Sequence, residues 1–121
     1  MIALVGLILI STGAGFAASV AVPASRLSET IRPAGPNDLK PTECAGLTLT
    51  NIVIGSGNID GTGGNDLIFG SAGADSIKGL GGGDCILGGG GDDDINGNGG
   101  GDICIGGPGT DTIKNCATTI P

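Results

Sequence analysis

The chain contains no histidine, no tryptophan and no tyrosine, and only two phenylalanines and one methionine in 121 residues. Without histidine the commonest general acid–base group is missing, and no H-E-x-x-H metalloprotease helix can exist. Ser56, Ser71 and Ser76 have no partner base, so no catalytic constellation can be assembled and enzymatic activity is not expected. Zinc is disfavoured on the same grounds: there is no histidine and no C-x-x-C pair, whereas structural zinc sites place their ligands in close pairs. Basic residues are scarce as well. Arg26, Arg32 and Lys40 lie in the first forty residues, which leaves Lys78 and Lys114 against nine aspartates from Asp60 onward. That imbalance argues against nucleic acid as a partner and calls for a cation.

Charge is also missing from the N-terminus. No ionisable side chain precedes Arg26, and residues 2–10 (IALVGLILI) form an apolar run followed by small residues, with cleavage points after Ala17, Ala18 or Ala21. Residues 1–22 resemble a secretory signal peptide, although no Lys or Arg stands before the apolar run. The alternative is a retained membrane anchor, since about 20 apolar residues span a bilayer; Gly6, Ser11, Thr12, Gly13 and Gly15 dilute the stretch and favour cleavage. The expected location is therefore secreted, with anchoring to the outer face of a membrane as the alternative, and membrane contact is expected only if this segment is retained. Residues 23–43 mix proline, serine and scattered charge without an apolar period and read as a linker. Four cysteines in an exported chain read as two disulfides. Of the three possible pairings, Cys44 with Cys85 and Cys104 with Cys116 is preferred, because each bond would tie a flank of the chain to its centre.

What the sequence does contain is a beat of nine. Aspartate recurs at Asp66, Asp75, Asp84, Asp93, Asp102 and Asp111. Glycine keeps the same interval five residues earlier, from Gly61 to Gly106, and again two residues before each aspartate, from Gly64 to Gly109. Two residues after each aspartate stands an apolar residue: Ile68, Ile77, Ile86, Ile95, Cys104 and Ile113. A helix would return its apolar stripe at intervals of three and four, so four fixed columns over residues 61–114 mark a repeat architecture instead. A flexible glycine-rich linker would scatter its aspartates rather than hold all six in register.

Each unit reads G-x-x-G-x-D-x-U-x, with U apolar. Its first six residues make a tight turn, for which glycine supplies the backbone freedom, and its last three make a short strand in which U faces one way and its neighbours the other. Two units carry the chain once around a flattened coil, placing each strand about 4.8 Å above the strand two units earlier. The U residues then fill the space between two parallel sheets. Asp66, Asp84 and Asp102 stack along one edge, and Asp75, Asp93 and Asp111 along the other. Stacked carboxylates repel, and one apolar side chain per nine residues is a small core against the entropy of ordering a glycine-rich chain. The metal-free chain is therefore expected to be largely unfolded. A hard divalent cation between successive turns reverses the balance by taking oxygens from aspartates and turn carbonyls, so that metal binding becomes folding free energy. Calcium fits best, because it accepts six to eight oxygens at flexible distances whereas magnesium demands a tight octahedron. The expected cages pair Asp66 with Asp84, Asp75 with Asp93, Asp84 with Asp102, and Asp93 with Asp111.

These units resemble the calcium-binding nonapeptide repeat of RTX (hemolysin-type) proteins, G-G-x-G-x-D-x-U-x. GGGGDDDIN (88–96) and GGPGTDTIK (106–114) are close matches, and the resemblance covers six consecutive units over residues 61–114. It implies an all-β parallel β-roll, or β-helix solenoid, of six nonapeptide repeats with calcium in the turns, the aspartate side chains and turn carbonyls acting as ligands. The second glycine survives only at Gly89 and Gly107, being Thr62, Ser71, Leu80 and Asn98 elsewhere. An incomplete unit over residues 52–60 retains Gly55 and Ile59 but has Gly57 in the aspartate column.

Residues 44–60 are thus expected to be an N-terminal cap, with residues 47–54 (LTLTNIVI) as a strand covering the open end of the roll, and residues 115–121 a C-terminal cap. Asp60, Asp92 and Asp94 fall outside the ligand column and read as solvated carboxylates. The function expected is that of a secreted calcium-binding protein whose turns couple binding to folding, with an affinity near that of extracellular calcium modules, about 10⁻⁴ to 10⁻³ M. The alternative is a structural or adhesive β-solenoid whose outer face binds a surface or polymer. Positions seven and nine of the repeats vary among Leu, Ser, Cys, Asp, Ile, Thr, Phe, Lys and Asn, which weakens that alternative.

Overall fold

In the computed structural model, which describes residues 32–121, short strands alternate with glycine turns in a coil that returns every two repeats. The strands are β1 (Asn51–Ile54), β2 (Asn58–Asp60), β3 (Asp66–Phe69), β4 (Ser76–Lys78), β5 (Cys85–Leu87), β6 (Asp94–Asn96), β7 (Ile103–Ile105), β8 (Thr112–Lys114) and β9 (Thr118–Ile120). Odd strands form one parallel sheet in the order β1-β3-β5-β7-β9, and even strands a second in the order β2-β4-β6-β8. Ile68 stands opposite Ile86, and Ile86 opposite Cys104; Ile77 stands opposite Ile95, and Ile95 opposite Ile113. The expected β-roll is therefore the observed fold. The apolar run of residues 2–10 and its cleavage points lie outside the described residues.

The inner core is the U column: Ile59, Ile68, Ile77, Ile86, Ile95 and Cys104 are buried between the sheets, and Val53, Ile113 and Cys116 pack at its ends. Both ends close by the same device. Asn51 pairs with Asp66 and Ile103 with Thr118, a spacing of 15 residues (66 − 51 and 118 − 103), whereas the regular coils advance by 18, as from Leu67 to Cys85. Three residues, 55–57 and 115–117, make the end turns where a regular turn uses six. A three-residue turn has no room for the G-x-x-G-x-D cradle, which explains why Gly57 occupies the aspartate column of the incomplete first unit. That unit still delivers Ile59 to the core, opposite Ile77.

The N-terminal flank differs from expectation. Only Asn51–Ile54 of residues 47–54 is strand, and it joins the odd sheet as an edge, with Val53 opposite Ile68. The preceding residues lie against the outer face of that sheet, where Cys44 and Leu49 bury against Leu67 and Cys85 to form a second core. From Pro36 the stretch read as linker carries a helical turn, α1 (Pro36–Leu39), and then a 3-10 turn, Thr42–Cys44. Asn37 clasps Leu49 from α1, donating to its carbonyl at 2.8 Å and accepting its N–H at 2.9 Å. Both disulfides form in the preferred pairing: Cys44–Cys85 fastens this flank to β5, and Cys104–Cys116 closes the C-terminal end of the inner core.

This second core corrects the reading of positions seven and nine. Their variation sorts by sheet. The outer face of the odd sheet carries Leu67, Cys85 and Ile103 in one row and Phe69, Leu87 and Ile105 in the other, whereas the even sheet shows Ser76, Asp94 and Thr112 beside Lys78, Asn96 and Lys114. One face is apolar and partly covered by the flank; the other is polar throughout.

Candidate metal centre

Each regular turn opens with a glycine and ends on an aspartate that begins or precedes the next strand, so the period of nine delivers six carboxylates to the two long edges of the roll. Asp66, Asp75, Asp84, Asp93 and Asp102 are buried there, and Asp111 is half-buried at the last turn. One oxygen of each carboxylate binds the coil before it. Oδ1 of Asp84 accepts the N–H of Asp66, Asp93 that of Asp75, and Asp102 that of Asp84, all at 2.9 Å, and Asp111 that of Asp93 at 3.0 Å. At the N-terminal end the same role falls to Asn51, which donates its amide to Asp66 at 2.8 Å, and to the Gly57 N–H, which reaches Asp75 at 2.5 Å. The aspartates thus stack in the two columns read from the sequence, 66-84-102 and 75-93-111.

The second oxygen behaves differently along the column. Oδ2 of Asp66 accepts the Thr62 N–H at 2.5 Å, and Oδ2 of Asp75 the Ser71 N–H at 2.6 Å. Oδ2 of Asp84, Asp93 and Asp102 is buried with no hydrogen-bond partner. A buried polar atom without a partner is costly, and more so when it bears charge. What lies beside these oxygens is more oxygen: a methyl group placed on Gly79 would collide with both Asp84 Oδ2 and the Gly97 carbonyl oxygen, one on Gly88 with Asp93 Oδ2 and the Gly106 carbonyl oxygen, and one on Gly97 with Asp102 Oδ2 and the Asn115 carbonyl oxygen. Three confined cradles are therefore lined by carboxylate and carbonyl oxygen without a donor. Among the described residues no three His, Cys, Asp or Glu side chains gather into a cluster, so backbone carbonyls must complete any ligand set. A paired carboxylate and carbonyl oxygen, with the Ile86 and Ile95 methyls behind them at Gly79 and Gly88, suits a hard cation held at about 2.3 to 2.6 Å.

The electrostatics follow the same division. Burial, with repulsion from Asp102 and Asp66 added, pushes the Asp84 carboxyl up to about 7 against the opposing hydrogen bond from the Asp66 N–H. Burial also raises Asp93 and Asp102. Asp75 is lowered, chiefly by the Ser71 N–H, which outweighs its burial. For Asp84 the folded value lies above the unfolded value of 3.8, so the metal-free roll binds more protons than the unfolded chain between these limits and loses stability as pH rises through them. Urea denaturation in chelator should accordingly give a higher midpoint at pH 5 than at pH 8, and calcium affinity should fall as pH drops below about 7. Equal midpoints at the two pH values would contradict this assignment.

Several contributors escaped sequence reasoning. Thr62 and Ser71 stand where a glycine was replaced, and their bonding to the aspartates is invisible when that column is treated as backbone alone. Turn carbonyls were expected as ligands, and Gly97 and Gly106 stand in the first-glycine column, but the Asn115 carbonyl lies beyond the last repeat and carries no sequence signal. Asp92, read as solvated, is exposed but accepts the Thr110 N–H at 2.9 Å, and Asp94 pairs with Lys114 across the polar face.

A family model for the RTX calcium-binding nonapeptide repeat matches the chain in overlapping segments, residues 53–84, 60–95 and 79–113, with four copies. The chain belongs to the RTX calcium-binding repeat family. Residues 53–113 are covered, which takes in all the regular coils and the shortened turn at residues 55–57, and the RTX repeat places calcium as the ion for these oxygen-lined turns. No curated protein and no solved structure is a significant match to the chain. RTX repeats occur in secreted proteins, and two disulfides agree with an oxidising compartment. When bound, calcium supplies positive charge to the carboxylates; the chain's own part is to hold Asp84, Asp93 and Asp102 in place through the N–H of the preceding coil and to keep glycine where any side chain would fill the cradle.

Proposed function

We propose that this is an exported, non-enzymatic calcium-binding module whose repeats couple calcium binding to folding. The observation that carries the reading is the set of three buried carboxylate oxygens without partners, each facing a carbonyl oxygen of the next coil. A folded state that leaves these atoms unsatisfied is poorly stable, and an ion that satisfies them adds its binding free energy to folding. The candidate ligand column runs Asp66, Asp75, Asp84, Asp93, Asp102 and Asp111, and the three orphaned oxygens, on Asp84, Asp93 and Asp102, are where an ion is needed. The test is circular dichroism of chelator-treated protein during titration with calcium, with magnesium as the control ion. The greater part of the β signal should appear with calcium and not with an equal concentration of magnesium; a chain fully β-rich in chelator would refute calcium-coupled folding.

One observation favours a second reading, that of a structural or adhesive solenoid. Ile54, Phe69, Leu87, Ile105 and Ile120 form a regular apolar row on the odd sheet, and Ile54 at its end is 74% exposed. A chain that is already β-rich without calcium would leave this row as its most functional feature.

A further inference from the structure

We infer that the first two turns, residues 61–66 and 70–75, are built to stand without calcium, the Thr62 and Ser71 hydroxyls and N–H groups taking the place of the ion. This inference rests on the calcium reading of the later turns and assigns to the six repeats two different jobs. In the turn of the first repeat, the Thr62 hydroxyl lies 2.9 and 3.0 Å from the two oxygens of Asp66 and accepts the Gly64 N–H at 3.0 Å. The Ser71 hydroxyl repeats the arrangement, at 3.2 and 3.0 Å from Asp75 and accepting the Gly73 N–H at 3.1 Å. The hydroxyl is thus a relay between the fourth residue of the turn and its aspartate. Together with the backbone N–H it satisfies the carboxylate oxygen that Asp84, Asp93 and Asp102 leave unpartnered.

The backbone records the same split. In the last four repeats the second residue of the turn is left-handed at Leu80 (φ 79°), Gly89 (103°), Asn98 (69°) and Gly107 (100°), and so is the fourth at Gly82 (99°), Gly91 (95°), Gly100 (131°) and Gly109 (146°). Thr62, Gly64, Ser71 and Gly73 all lie outside that region. Loss of the second glycine does not explain the difference, because Leu80 and Asn98 accept the left-handed backbone despite its steric cost. What separates the two classes is a hydroxyl within reach of the aspartate. These two turns also adjoin the parts of the chain that need no ion: the shortened end turn at residues 55–57, Asn51 on Asp66, and the second core of Cys44, Leu49, Leu67 and Cys85. In a solenoid, where each repeat contacts only its neighbours, such a segment can persist while the rest is loose. It would serve as a template on which the calcium-dependent repeats coil.

Two measurements test this on the full chain. Amide exchange by NMR in chelator should show Thr62, Ser71 and Gly57, whose N–H groups are held by Asp66 and Asp75, exchanging at least about tenfold more slowly than Asp84 and Asp93; equal rates overturn the inference. Native mass spectrometry at saturating calcium should show no more than about four ions, one for each left-handed turn, and the double variant Thr62→Gly/Ser71→Gly should take up at least one more. Five or more ions on the unaltered chain, or no gain in the variant, overturn the inference and leave the calcium reading intact. A chain that binds no calcium at all removes both.

Discussion

Replacing Asp84 by asparagine should raise the calcium concentration at half-folding by about tenfold or more, while making the metal-free protein more resistant to urea. The two effects have opposite sign because they come from different states. With calcium present, Asp84→Asn removes a charged oxygen from a cradle shared with the Gly97 carbonyl, and losing even an outer-shell partner of a metal ligand commonly costs about 10- to 100-fold in affinity. In chelator the same residue is a liability. Its carboxylate is buried, repelled by Asp66 and Asp102 and pushed up to about 7, whereas an asparagine amide is uncharged, retains an acceptor for the Asp66 N–H and gains a donor that can turn to the Gly97 carbonyl. Calcium titration followed by circular dichroism, and urea denaturation in chelator, measure the two halves separately. A variant that loses stability in both conditions would show Asp84 to be an ordinary structural aspartate, valued for its hydrogen bond to Asp66 alone.

The second large effect is expected at a glycine. Gly88→Ala should abolish most of the calcium-induced β signal, because its Cβ would come within 2.8 Å of the Gly106 carbonyl oxygen and closer still to Asp93 Oδ2. Neither neighbour can retreat: one is backbone of the next coil, and the other is pinned through Oδ1 to the Asp75 N–H at 2.9 Å. Gly101→Ala provides the control. A Cβ there meets nothing within 4 Å and the residue is not left-handed, so its stability should change by no more than about 0.5 kcal/mol. The comparison separates steric filling of a cradle from the general loss of glycine flexibility, since both variants lose one glycine. If the two behave alike, the cradle is not a discrete space reserved for an ion.

Much of this molecule is legible from its sequence because strand geometry and a period of nine leave little choice. Once Ile68, Ile77 and Ile86 are read as inward-facing, the stacking of odd on odd repeats follows, and with it the two aspartate columns and the inward place of Cys104. The disulfide pairing is legible only as a preference: that Cys44 and Cys116 flank the repeats holding Cys85 and Cys104 disfavours joining the two flanks, but the structure decides between the two remaining pairings. What the period conceals is any difference between repeats. Pooling positions seven and nine over all six units mixes an apolar face with a polar one and makes both look irregular, although Leu67, Cys85 and Ile103 share a sheet that Ser76, Asp94 and Thr112 never touch. The shortened turns at residues 55–57 and 115–117 break the count by three and so cannot be found by extending it. Thr62 and Ser71 are hidden for a related reason: a consensus treats them as lapses from glycine, while their chemistry lies in a hydroxyl that only the folded turn brings to the carboxylate.

The alternation of strands between two unlike faces gives the roll a parity. Duplicating a single nonapeptide in its middle would send every later strand to the opposite sheet, carrying Ile103 and Ile105 to the hydrophilic side and Lys114 to the greasy one. Duplicating a pair would preserve every assignment and lengthen each ladder by one rung. Length in this architecture is therefore available only in even steps, and the flank pinned at Cys85 acts as the reference from which those steps are counted.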